Sequence, residues 1–114
     1  MAGKVTTHAL DTALGGGAGG LTATLARLSP EPKAYPPVRL DAGGRATLLS
    51  EGLVKGVYAL TFAVAAYHRA VGAAVSDPPF LDEVVIRFGV AEPDSHYHVP
   101  LLLSPYGYST YRGG

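Results

Sequence analysis

The sequence predicts an all-β domain, a two-sheet β-sandwich of seven to eight short strands with one short helix. Three observations carry this reading. Runs rich in Val, Leu, Thr and Tyr alternate inward and outward positions. Turn signals separate them at short intervals. Only one stretch has a helical composition. Fifteen glycines and nine prolines among 114 residues are more than a helical protein carries, yet fall short of a disordered one.

Val5 to Leu10 alternates as a first strand, with Thr6, His8 and Leu10 on one face and Val5, Thr7 and Ala9 on the other. The glycine-rich run 15–20 lacks both the Gly-Lys-Ser/Thr ending and the G-x-G-x-x-G helix start of phosphate loops, and reads as a mobile β-loop. Leu21 to Leu28 forms a second strand, and the prolines at 30, 32, 36 and 37 then break the chain. Val38-Arg39-Leu40 is a short third strand. Asp41-Ala42-Gly43-Gly44 is a turn, with Arg45 directly behind it leading a fourth strand to Leu49. Val57 to Val64 places Tyr58, Leu60, Phe62 and Val64 on one face. Ala63 to Val71 is the Ala-rich helix, and its His68 reads as a surface residue. Glu83 to Val90 alternates Val84, Ile86, Phe88 and Val90 against Arg87 and Gly89.

The chain from His96 onward predicts an antiparallel hairpin turning at Ser104-Pro105-Tyr106-Gly107. With Pro105 and Tyr106 as loop residues, Ser104 faces Gly107, Leu102 faces Ser109, Pro100 faces Tyr111 and His98 faces Gly113. That register puts His96, His98, Tyr111 and Gly113 on one face and Tyr97, Val99, Leu101 and Thr110 on the other. Leu101, Leu102 and Leu103 stand in a row, so one face leaves leucine to be covered, which favours burial against a partner.

Length and composition bound the rest. A chain of this size makes a single domain over residues 1–114 with one modest core. Nine basic and nine acidic residues cancel, giving no reason to expect nucleic acid or an anionic membrane as partner. With no cysteine there is neither a disulfide nor a thiolate nucleophile. No apolar stretch reaches membrane-span length, and the N-terminus does not read as a secretory signal, so a cytoplasmic location is expected.

Several residues could carry chemistry, each with a plainer alternative. His8 in a Thr-rich strand, taken alone, reads first as a solvent-facing or partly satisfied histidine. Arg45 behind its turn reads as a strand-end charge, and Tyr111 as sheet packing. His98 stands out because a second histidine and a tyrosine share its face. His96-x-His98 is also metal-ligand spacing, with His8, His68 or an aspartate as a conceivable third ligand, but no Asp/Glu-His cluster marks such a site. No G-x-S-x-G supports a serine hydrolase.

The run His-Tyr-His-Val-Pro-Leu-Leu-Leu-Ser-Pro-Tyr-Gly-Tyr-Ser-Thr-Tyr-Arg-Gly at 96–113 resembles the C-terminal signature of the hydroxyisourate hydrolases, the enzymatic branch of the transthyretin-like family. Val5 to Thr12 is similar to the family's opening strand, and Gly43-Gly44-Arg45 to its Gly-Arg turn. The resemblance implies a transthyretin-like sandwich with a short helix after its fifth strand, assembled as a homotetramer, a dimer of dimers, with sites where dimers meet. It implies hydrolysis of 5-hydroxyisourate, a cyclic amide of urate breakdown, without cofactor or metal. His8, Arg45 and His98 match the catalytic positions, and His8, Arg45 and Tyr111 those that bind substrate. His98 or His8 would be the general base, and Arg45 would hold the oxyanion. The family ends Tyr-Arg-Gly-Ser where this chain has Gly114, which implies reduced activity that a serine at 114 would restore. The competing readings are a transthyretin-like carrier of a small ligand, without catalysis, and a structural sandwich whose last hairpin pairs subunits.

Overall fold

The computed structural model describes residues 3–113. The expectation attached to Gly114 lies outside the described residues. The strands are β1 Lys4–Asp11, β2 Gly16–Gly17, β3 Thr22–Ser29, β4 Lys33–Ala34, β5 Val38–Arg39, β6 Arg45–Leu49, β7 Gly56–Phe62, β8 Val84–Val90, β9 His96–Ser104 and β10 Gly107–Thr110, with the helix α1 Val64–Ala70 after β7. Seven of these strands exceed two residues, in keeping with the sandwich the alternation predicts.

The first sheet runs β10-β9-β1, and both β2 and β6 pair with the far side of β1. The second runs β8-β7-β3, with β4 and β5 on the outer side of β3. β9 lies parallel to β1, a long-range pairing that no local pattern announces. Between the sheets, Val5 and Ala9 of β1, Leu25 of β3, Leu60 and Phe62 of β7, and Leu101 and Leu103 of β9 are fully buried. Each large apolar side chain so removed from water contributes about 1.5–3 kcal/mol.

The glycine-rich run is packed rather than a free loop. Gly16 and Gly17 form a short ladder against Asp11 and Leu10, and Ala18 is fully buried. A Cβ at Gly17 would stand 2.2 Å from the Gly43 carbonyl oxygen, so glycine there permits backbone contact between two turns. His68 is also not a surface residue, being 1% exposed. It sits four residues after buried Val64 on the same face of α1, next to Tyr67, whose hydroxyl donates to Asp11 at the end of β1.

Candidate active site

Alternation in β1 turns Val5, Thr7 and Ala9 into the core and leaves Thr6 and His8 on the outer face of the first sheet. The neighbouring strands bring partners to that face. In register, His8 lies opposite Arg45 of β6, and Thr6 lies opposite Thr47 of β6 and His98 of β9. His8 and His98 are thus one strand and two residues apart, about 8 Å by ordinary sheet spacings. Three segments distant in sequence place two imidazoles and a guanidinium on one surface.

Arg45 owes its place to the turn before it. Asp41 Oδ1 accepts the amide protons of Gly43 and Arg45 at 3.0 and 2.9 Å, and the Gly44 amide closes on the Asp41 carbonyl at 2.9 Å. Gly44 has φ +80°, and a Cβ there would meet the Ala9 carbonyl oxygen at 2.3 Å. Any other residue at 44 would be strained and would push the turn off β1. The Gly43 carbonyl accepts a hydrogen bond from His8 Nε2 at 3.0 Å. A carbonyl oxygen cannot donate, so His8 carries its proton on Nε2.

Thr6, Asp41, Arg45, Thr47, His96 and His98 line a hollow of about 380 Å³; His8 is not in its lining but lies opposite Arg45 on the neighbouring strand. His98 Nδ1 lies 2.8 Å from Thr6 Oγ1, and His96 Nε2 lies 2.6 Å from the same oxygen. Burial, and then His96, His8 and Arg45, lower the pKa of His98 below the usual imidazole value. Such a group is unprotonated at neutral pH and suited to take a proton. Thr6, Asp41 and His96 are site residues that composition alone passes over. The signals were present for all three: Thr6 shares the parity of His8, Asp41 opens the turn, and His96 shares the predicted face of His98.

Tyr111 is placed elsewhere. Gly113 does pair with His98, as the hairpin register predicts, and Gly107 and Ser109 face Ser104 and Leu102. The strand nonetheless stops at Thr110. Pro100, opposite Tyr111, has no amide proton for the ladder, and its carbonyl is taken by Thr110 Oγ1 at 2.7 Å. Tyr111 then lines a separate apolar hollow of about 370 Å³ at the sandwich edge with Phe88, Tyr97 and Val99. Within one chain it does not share the hollow of His98. Among the described residues no group of three or more His, Asp or Glu side chains is placed to hold a metal ion.

This chain has relatives. The model of the HIUase/Transthyretin family matches residues 5–113. The 5-hydroxyisourate hydrolase of Caulobacter vibrioides is 51% identical over 96% of this chain and 96% of its own. The crystal structure of an (S)-allantoin synthase superposes with a TM-score of 0.94 at 39% identity over 99% of this chain, which spans only 44% of that longer one. The structure of Klebsiella pneumoniae 5-hydroxyisourate hydrolase gives 0.84 at 32% identity over 98% of this chain and 99% of that one.

Proposed function

The chain belongs to the HIUase/transthyretin family, and from that premise we propose that it is an enzyme hydrolysing 5-hydroxyisourate, with His98 as the general base. The observation that carries the reading is the convergence of His8, Arg45 and His98 on one sheet face, with His98 held neutral. A carrier would need none of the three.

The ring carbonyl of the substrate is electrophilic, so the work left to the protein is to make hydroxide and to accept charge. His98 Nε2 takes a proton from water, and the oxygen attacks the carbonyl carbon. The π pair moves to the carbonyl oxygen, which Arg45 meets with a permanently charged donor fork. Collapse of the tetrahedral species breaks the amide C–N bond, and the leaving nitrogen recovers the proton from His98. His8 donates its Nε2–H to Gly43, which leaves Nδ1 bare, and in this reading Nδ1 orients water or substrate.

Tyr111 contacts substrate from a neighbouring subunit. It is 59% exposed, and on the outer sheet face beside His8 the apolar Leu10 and Leu102 are paired and partly uncovered. That strip supports burial against another copy in a homotetramer, a dimer of dimers.

The test is the decay of ultraviolet absorbance of freshly generated 5-hydroxyisourate. The protein accelerates it, and His98→Ala removes about 10²–10⁴-fold of that acceleration while leaving the fold intact. A wild-type chain that leaves the spontaneous decay unchanged would overturn the proposal.

A further inference from the structure

The geometry points to Thr6 as a positioning residue that holds His98 in its Nδ1–H tautomer, by passing one hydroxyl between the rings of His98 and His96. The inference rests on the hydrolytic reading above, since it says how the base is kept ready.

Thr6 stands mid-strand in β1, opposite His98. Its Oγ1 lies 2.6 Å from His96 Nε2 and 2.8 Å from His98 Nδ1. Its β-branched side chain is stiff about χ1, so the hydroxyl oxygen is fixed between the two rings. A hydroxyl has one proton to give, and a neutral imidazole has one N–H and one bare nitrogen. With both rings neutral and the hydroxyl proton given to one of them, two arrangements satisfy both contacts. In the first, Thr6 donates to His96 Nε2 and accepts from His98 Nδ1–H, which leaves His98 Nε2 bare. In the second, the chain runs the other way and His98 Nε2 carries the proton.

Only the first arrangement makes a base at Nε2. It also survives the reaction unchanged, because the imidazolium formed by taking a proton from water still donates Nδ1–H to Thr6. His96 is then the acceptor that orients the chain. The ionisable groups facing this pair are His8 and Lys4 from β1, Arg45 from β6 and Asp41 from the turn before it. Without His96 the hydroxyl would be free to donate to His98 Nδ1, the tautomer that cannot act.

The test combines nitrogen-15 NMR of the histidine rings with steady-state kinetics on the full chain. In the wild type, neutral His98 carries its proton on Nδ1. Thr6→Val, close in shape but without the hydroxyl, loses that uniform tautomer and lowers kcat about 10–100-fold with KM little changed. Thr6→Ser keeps the hydroxyl and restores both. Should Thr6→Val fail to fold, His96→Phe removes the acceptor with Thr6 in place and shows the same tautomer loss. A wild-type His98 protonated on Nε2 overturns the inference. So does a Thr6→Val chain with unaltered tautomer and kcat, or a Thr6→Ser chain as impaired as the valine variant. A wild-type chain with the expected tautomer but no turnover supports the relay and overturns the hydrolase reading instead.

Discussion

His98 shows how a residue becomes legible in stages. Its face and its companion His96 follow from strand alternation, and its match to a family position follows from the motif around it. Its partner Thr6 does not, because the contact depends on β1 lying parallel to β9, a pairing between segments about 90 residues apart. His68 is buried against the expectation of exposure for a related reason. Its spacing from Val64 was visible, but which side of a short Ala-rich helix is covered depends on the sheet edge it meets. The direction of the His98 shift fixes a pH dependence. Burial first, and neighbouring His96, His8 and Arg45 after it, lower its pKa from 6.5. The base is therefore already free at pH 7, and kcat/KM is flat through neutrality and falls only at pH below 6.5. Arg45→Met removes one of the opposing cations. It moves the midpoint of the acid limb upward while lowering the rate, because the oxyanion also loses its partner. A pH–rate profile checks both, and a midpoint above 6.5 in the wild type contradicts the assignment.

At the scale of elements, the turn 41–44 and the last hairpin divide the labour. The turn was legible from Asp41 and its glycines, but what it holds in place was not. Gly43 accepts from His8, and Gly44 presses against β1 at a positive φ. Gly44→Ala lowers the stability by about 1–3 kcal/mol and displaces Arg45, so chemical denaturation and kcat fall together. A variant with wild-type stability and turnover would show that the turn is not under this constraint. In the hairpin the register was legible down to the His98–Gly113 pair. The departure of Tyr111 was not, because it arises from Pro100 withholding a proton and Thr110 claiming the remaining carbonyl.

The sandwich as a whole was readable from alternation and turns, since a sheet with one buried face must repeat every two residues. Which strands become neighbours was not, and the site exists only through those pairings. The assembly proposed here gives each hollow residues from two subunits. Chains carrying His98→Ala and chains carrying Tyr111→Ala, each impaired alone, recover activity when unfolded together and refolded, because some mixed assemblies contain an intact pairing. Activity of the mixture equal to the average of the two would place Tyr111 outside the site.

The central claim is that His8, Arg45 and His98 act on one substrate as a unit, and groups that act as a unit are strongly non-additive when removed. The most direct measurement is kcat/KM for His8→Ala, His98→Ala and the double variant in the absorbance assay. The structure predicts a double variant little worse than His98→Ala alone. Losses that multiply would contradict it and would mean that the two imidazoles work in separate places.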